Sequence, residues 1–202
     1  MKTCYIVGAG DFFGSFSPTE DDLVIAADGG YDTLCRLKIR CDLLVGDMDS
    51  LHSAKSETEK IVFPVEKDET DTFLSYAEGV RRGYTDFCIF GGVGGRIDHT
   101  FANLSLLIYA KNAGHTMKIV ADGYRIFAIK NEKIKLSSTP ASHLSVFAFG
   151  GDASGVSIRG AKYEANDIVI TPSFPLGVSN SFISDTCEIE VQDGTLLIMQ
   201  GE

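Results

Sequence analysis

The sequence predicts an α/β protein in two parts: a parallel sheet with covering helices over residues 1–123, then an all-β half over residues 124–202. Over the first 122 residues, apolar runs of strand length alternate with segments of helical period, as in βαβ units. Beyond Tyr124 the segments shorten, alternate apolar with polar, and are separated by Gly, Asn, Asp and Pro. A length of 202 residues suits one large domain or two small ones, at roughly 100–200 residues per domain.

Taken in order, strands are expected at 3–8, 23–27 and 43–46, with a helix at 31–37 between the second and third. A fourth strand is expected at 60–64. It is followed by a helix at 71–82, where Phe73, Ala77 and Val80 recur at i, i+4 and i+7. The fifth strand, 86–90, precedes a helix at 98–112 whose Phe101, Leu104 and Ile108 fall at i, i+3 and i+7, and a sixth strand closes the half at 117–122. The two parts join near residues 122–125. Short strands follow at 143–149, 156–158, 167–171, 186–191 and 195–200. Asp193-Gly194 between the last two reads as a two-residue hairpin, because that turn requires positive φ.

Composition narrows the function. With 18 Lys and Arg against 28 Asp and Glu the net charge is −10, which excludes non-specific nucleic-acid binding and disfavours an anionic membrane surface. The longest apolar stretches, such as 104–110, fall far short of the roughly 20 residues that span a bilayer, and no signal peptide is read at the N-terminus, so a cytoplasmic protein is expected. Five cysteines form no CxxC pair, and Cys4 and Cys88 sit in apolar runs where a thiol packs as a small hydrophobe. The four histidines, at 52, 99, 115 and 143, make no metal-ligand cluster. A bound metal would therefore need oxygen ligands, pointing to magnesium-like hard ions.

Three stretches carry candidate chemistry. Asp28-Gly29-Gly30 and Gly46-Asp47-Met48-Asp49-Ser50 each follow a strand, and in a parallel sheet the carboxyl ends of strands open onto the ligand crevice. Asp47 and Asp49 are close enough to reach one cation; Asp28 alone reads equally well as a turn former. Glu66, Asp68, Glu69 and Asp71 crowd the start of the second helix. Capping explains one acid, whereas a divalent ion shared with substrate phosphates would relieve the repulsion of all four. Lys67, embedded among them, balances charge or touches a phosphate. Gly91-Gly92-Val93-Gly94-Gly95-Arg96 then links a strand to a helix, where glycines allow close backbone approach, the helix start offers N–H groups to an anion, and Arg96 adds a fork-shaped donor. The pattern is neither G-x-G-x-x-G nor a P-loop. Acids, a glycine loop and few cations together argue for metal-dependent phosphoryl or pyrophosphoryl transfer.

In these stretches the sequence resembles the thiamine pyrophosphokinases, which move pyrophosphate from ATP to thiamine. The resemblance is carried by Ala27-Asp28-Gly29-Gly30, Gly46-Asp47-Met48-Asp49-Ser50, Lys67-Asp68-Glu69-Thr70-Asp71, Gly94-Gly95-Arg96-Ile97-Asp98-His99 and Val178-Ser179-Asn180, in the family's order. It implies a Rossmann-like α/β domain followed by a β-sandwich that binds thiamine and forms a homodimer. It also implies Asp47, Asp49 and Asp71 as Mg²⁺ ligands on ATP, with Asp28 beside them in a catalytic acidic cluster. Gly94, Arg96 and Asp98 would shape the nucleotide and phosphate pocket, together with Gly29, Gly30, Lys67, Asp68, Gly92 and His99 from the same stretches. Ser179 and Asn180 would face thiamine, in a pocket built from the α/β domain of one subunit and the sandwich of the other. Some relatives stack thiamine on a tryptophan; this chain has no Trp, so either an aromatic such as Phe182 substitutes or the stacking is absent. Two other readings use the same motifs: a pyrophosphokinase acting on a hydroxymethyl-pterin, and a non-catalytic nucleotide sensor, which has no need of Asp47, Asp49 and Asp71 together.

Overall fold

The apolar runs of the first half become six strands: β1 (Cys4–Val7), β2 (Leu23–Ala27), β3 (Leu43–Gly46), β4 (Glu59–Val62), β5 (Asp86–Phe90) and β6 (Thr116–Ala121). All neighbours pair in parallel, in the order β4-β3-β2-β1-β5-β6. Every residue of β2 and β3 is buried, as expected where both faces of a parallel sheet are covered. The order reverses between β1 and β5, so the connections leaving these two strands diverge and open a crevice at their carboxyl ends. The computed structural model describes residues 2–47, 58–64, 66, 68–139 and 141–202. The chain divides into two units, Met1–Leu106 with Gly114–Asp122, and Leu107–Ala113 with Gly123–Glu202.

Three helices, α1 (Gly30–Leu37), α2 (Asp71–Arg81) and α3 (Ile97–Asn112), lie where the sequence places helices, but two of them bury faces other than the expected apolar stripes. On α2 the buried residues are Thr72, Ser75, Tyr76 and Gly79, while Ala77 is exposed and Phe73 and Val80 are half-buried. Close packing is the reason. A Cβ on Gly79 would lie 2.7 Å from Phe87 Cε1 and 2.9 Å from Cys4 Sγ, so the helix approaches β1 and β5 too closely for large side chains. Ser75 tolerates burial by donating its hydroxyl to the Asp71 carbonyl at 2.7 Å. On α3 the buried face is Asn103, Leu106, Leu107 and Ala110, and Phe101 is 63% exposed. After β1, Phe12 and Phe16 fold back to stack on Phe90 at 5.1 and 4.7 Å between ring centroids, an apolar cover the strand pattern does not announce. Cys4 and Cys88 are buried, as their apolar surroundings predict.

The second unit is antiparallel. Strands β7 (Tyr124–Lys130), β9 (His143–Ala148), β12 (Gly177–Ser181) and β14 (Thr195–Gly201) run side by side as β12-β9-β14-β7. A second sheet holds β8 (Lys133–Ser137), β10 (Ala153–Arg159), β11 (Ala165–Ile170) and β13 (Thr186–Glu190) as β11-β10-β13-β8. Inward residues of both sheets, among them Leu144, Val146 and Ile198 from one and Val156, Ile158 and Ile189 from the other, form one buried cluster in a β-sandwich-like arrangement. The expected hairpin at Asp193-Gly194 is corrected: β13 pairs with β8 and β10, whereas β14 pairs with β7 and β9, so this turn carries the chain from one sheet to the other. Gly194 keeps its positive φ of 113°, and its N–H is held by Asn131 Oδ1 at 2.8 Å. Among the described residues no helix is long and apolar enough to cross a membrane.

Candidate active site

The ends of β1, β2 and β5 together with the starts of α2 and α3 enclose a cavity of ≈370 Å³ in the first unit. Asp28 enters it from the end of β2 in a left-handed conformation, φ 46°, with its N–H on the Val45 carbonyl at 2.9 Å and its carbonyl taking the Tyr31 N–H at 3.2 Å. Left-handed backbone away from glycine is uncommon and is tolerated best by Asn and Asp. Two residues later α1 begins at Gly30, where a Cβ would sit 1.8 Å from the Val7 carbonyl oxygen. That turn requires glycine. Gly29 lies beside it, where a Cβ would come 3.2 Å from Ala9 Cβ, and neither glycine lines the cavity.

Asp71, the first residue of α2, lines the same cavity with Thr72. The helix is capped by Thr70, whose hydroxyl accepts the Phe73 N–H at 3.2 Å, so Asp71 is not the capping residue. Asp68 is exposed and outside the lining, as are Glu66 and Glu69. Asp47 follows β3 on the same rim as Asp28, half-buried and outside the lining. Asp49 and Lys67 lie outside the described residues.

The glycine loop forms the floor. Gly91, Gly94 and Gly95 have positive φ, and Gly91 comes so close to the segment after β1 that a Cβ on it would lie 2.4 Å from Gly8 O. The loop's carbonyls are tied back: those of Phe90, Gly91 and Val93 accept the N–H groups of Gly8, Gly10 and Asp11 at 2.8, 3.0 and 3.0 Å, and that of Gly92 accepts Asn103 Nδ2 at 2.8 Å. Gly8, Gly10 and Asn103 thus belong to the site although they stand outside the motifs that predict it. The first two had a legible signal, a Gly-x-Gly directly after an apolar strand.

Arg96 and His99 line the cavity at the start of α3. Arg96 forks onto Asp98, with Nη2 to Oδ2 at 2.6 Å and Nε to Oδ1 at 3.2 Å, in a solvent-exposed pair. The guanidinium holds the Asp98 carboxyl below its ordinary range. Asp98 also accepts the His99 N–H at 3.0 Å.

Among the described residues no group of three or more His, Cys, Asp or Glu could hold a metal ion by itself. Asp28 and Asp71 nevertheless face one cavity with carboxylate oxygens, a donor set that fits Mg²⁺, which characteristically takes one or two carboxylates and completes its shell with water and substrate phosphates.

In the second unit, Ser179 has φ 60°, and its N–H donates to Ser145 Oγ at 3.1 Å. Asn180 is buried and clamps a neighbouring loop: Oδ1 accepts the N–H groups of Tyr163 and Ser181, both at 2.9 Å, and Nδ2 donates to Tyr163 O at 2.8 Å. Phe182 is 8% exposed and packed in the sandwich core, with a bridge to Ala161, and lies outside the lining of the cavity that Asn180 borders. Tyr163, by contrast, is 61% exposed and lines a cavity of ≈260 Å³ with Asn180, Leu176 and Val178.

Family comparisons follow the same division. Residues 18–121 match the thiamin pyrophosphokinase catalytic domain, and residues 131–196 match the thiamin pyrophosphokinase vitamin B1 binding domain. The chain is 26% identical to a thiamine pyrophosphokinase of Bacillus subtilis, over 99% of both chains. Its fold is similar to the crystal structure of a thiamine pyrophosphokinase from Bacillus subtilis, with a TM-score of 0.88 at 23% identity over 98% of each chain. It is also similar to a thiamin pyrophosphokinase family protein from Enterococcus faecalis, with a TM-score of 0.86 at 25% identity over 98% of each, and to yeast thiamin pyrophosphokinase, with a TM-score of 0.72 at 18% identity over 100% of this chain and 86% of that one.

Proposed function

The chain belongs to the thiamin pyrophosphokinase family, and from that premise we propose that it transfers pyrophosphate from ATP to the hydroxyl of thiamine, giving thiamine diphosphate and AMP, as a cytoplasmic homodimer. The observation that carries this reading is that Asp28 and Asp71 line one cavity together with a glycine loop and Arg96. Strand order β4-β3-β2-β1-β5-β6, with its reversal beside β1, supports a Rossmann-like description of the first unit as the ATP-binding and catalytic domain.

Asp71, Asp47 and Asp49 would hold Mg²⁺ with Asp28 beside them, and the bound ion would neutralise charge on the polyphosphate oxygens. The chain's own groups do the remaining work. Gly92 and Gly94 let the backbone approach the phosphates, the start of α3 offers N–H groups and a favourable dipole, and Arg96 supplies a two-pronged donor. Gly29 and Gly30 set the turn that aims Asp28, His99 lines the cavity beside Arg96, and by the family resemblance Lys67, Asp68 and Asp98 would complete the nucleotide and phosphate pocket. Holding the phosphates in line with the incoming hydroxyl is the larger part of such catalysis.

Thiamine is a cation, which suits an acidic site. In the second unit we assign its contacts to Ser179 and to the loop that Asn180 clamps. The Tyr163 ring on that loop already receives the Lys162 ammonium at 5.4 Å, so its face is of the kind that attracts a cationic heterocycle. The test is product formation. ATP with thiamine and Mg²⁺ should give AMP and thiamine diphosphate; turnover with a hydroxymethyl-pterin alone, or nucleotide binding with no transfer, would overturn the assignment.

A further inference from the structure

We infer that Asn103 is a positioning residue for the phosphate site, acting through the peptide between Gly92 and Val93; the inference rests on reading the first cavity as the place of the ATP phosphates. Four successive residues, Phe90 to Val93, of which Gly91 and Gly92 line the cavity, have every carbonyl held. Three of their carbonyls are held by backbone N–H groups of the segment after β1, and the carbonyl of Gly92 is held by the Asn103 amide at 2.8 Å. Asn103 is 5% exposed and lines the cavity from the second turn of α3. Because it faces a carbonyl oxygen, the group presented must be the NH₂ end of the amide.

The Gly92–Val93 peptide needs an external hold. On its Gly92 side no Cβ restricts rotation of this peptide, so there it is held by the hydrogen bond at its oxygen, while Val93, whose carbonyl accepts the Asp11 N–H at 3.0 Å, restrains the other side. In a planar trans peptide the N–H points opposite to the C=O. Fixing the Gly92 oxygen on Asn103 therefore turns the Val93 N–H the other way, presenting a donor to a phosphate oxygen. Without Asn103, the buried Gly92 oxygen loses its partner, and a flipped peptide would meet the phosphates with a carbonyl in place of an N–H. No side chain could replace Gly92 to stiffen the loop, since its Cβ would lie 2.7 Å from Ile89 Cγ2.

Asn103→Asp keeps the shape and, when ionised, loses the donor; Asn103→Ala removes both partners' contact. Calorimetric titration with Mg²⁺-ATP and with inorganic triphosphate should show dissociation constants raised about tenfold or more in both variants, the scale of an unmade buried hydrogen bond. Thiamine affinity should stay within about twofold, and Asn103→Asp should recover nucleotide affinity on acidification, as its carboxyl becomes a donor again. Equal losses for thiamine and nucleotide, or nucleotide affinities within twofold of wild type in folded variants, would overturn the inference. Wild type failing to bind triphosphate would instead sink the reading of the cavity. Should neither variant fold, a crystal structure of the wild-type protein with Mg²⁺ and a non-hydrolysable ATP analogue decides: Val93 N within hydrogen-bond distance of a phosphate oxygen supports the role, and a Val93 N–H turned away from it refutes it.

Discussion

Arg96 and Asp98 hold each other at 2.6 Å on the rim of the cavity, so the arginine best placed for a phosphate is already paired before nucleotide arrives. Both side chains are largely exposed, and exposed ion pairs are weak and easily exchanged. ATP should therefore displace Asp98 from Arg96. Arg96→Ala is expected to weaken ATP binding on the order of tenfold to a hundredfold, the range for a hydrogen bond to a charged group, and to leave thiamine binding nearly unchanged. Isothermal titration with each ligand separates the cases. Equal effects on both would mean that the Asp98 pair is the sole business of Arg96.

Asp28→Asn, Asp47→Asn, Asp49→Asn and Asp71→Asn should each reduce turnover at least about a hundredfold while leaving the fold intact, since each removes charge with little change in shape. For Asp71 the structure sharpens the expectation: Thr70 caps α2, so the substitution leaves the helix start satisfied. Activity should vanish in excess chelator and return with Mg²⁺ or Mn²⁺. Turnover that survives chelation would defeat the metal assignment.

How much of this was legible in the sequence depended on what held each element in place. β2, β3 and β5 have their expected bounds because a strand covered on both faces must be a continuous apolar run. Helix positions were legible but their buried faces were not: α2 turns Thr72, Ser75 and Gly79 to the sheet because close approach there demands small residues, which hydrophobic spacing cannot reveal. β7 and β8 alternate, with Ile126 and Ala128, then Ile134 and Leu136, yet they sit among lysines next to the junction, which masks the strand pattern. β12, Gly-Val-Ser-Asn-Ser, has little strand propensity, and its buried residue is the polar Asn180. In the site, motifs announced Asp28, Asp71 and the glycine loop. Asn103 was hidden, because a mid-helix Asn shows its purpose only when the carbonyl it serves is in view.

Gly30→Ala should destabilise the first unit severely. A Cβ 1.8 Å from the Val7 carbonyl forces β1 and α1 apart, and overpacking of this kind costs about 3 kcal/mol, or a Tm lower by roughly 6–12 °C for a chain of this size. Gly95→Ala, in the glycine loop, has open space around its Cβ and is strained only by its φ of 62°, so its thermal shift should be clearly smaller. Similar melting curves for the two variants would contradict the close approach at Gly30.

Glu78 ties down the far end of α2. Its carboxylate accepts Arg81 and Arg82 at 2.7 Å, Arg82 reaches on to Glu59 of β4 at 2.6 Å, and these hydrogen bonds, from Arg81 first, hold the Glu78 carboxyl down to about 2. A folded pKa below the ordinary 4.5 means stability that is fully present above pH 4.5 and lost as pH falls toward 2. Because Arg81 is mostly exposed, the contribution should be about 1 kcal/mol. Urea unfolding of wild type and Glu78→Gln should therefore differ by about that much at pH 7, with the gap closing between pH 4.5 and 2. A gap that stays constant across that range would show that the ion pairs contribute nothing.

The second unit should be required for catalysis although every metal and phosphate motif precedes it. Transfer to an alcohol must exclude water or ATP will be hydrolysed instead, and the lining of the first cavity holds acids, glycines, alanines and an arginine but no large apolar side chain to grip an organic acceptor. Ser179 and the Tyr163 loop held by Asn180 are expected to supply what is missing. Asn180→Ala leaves the Tyr163 N–H and carbonyl without their partner, so it should raise the thiamine KM more than the ATP KM and destabilise the sandwich by about 1–3 kcal/mol. If the sandwich serving a given site belongs to the partner subunit, two defective chains can repair each other. An Asp71→Asn chain and a chain carrying Ser179→Ala with Asn180→Ala, each inactive alone, should recover part of the activity when co-expressed with different tags and purified as heterodimers, because one of the two sites then receives both intact halves. Heterodimers shown to have formed but still inactive would mean that each site is built within a single chain.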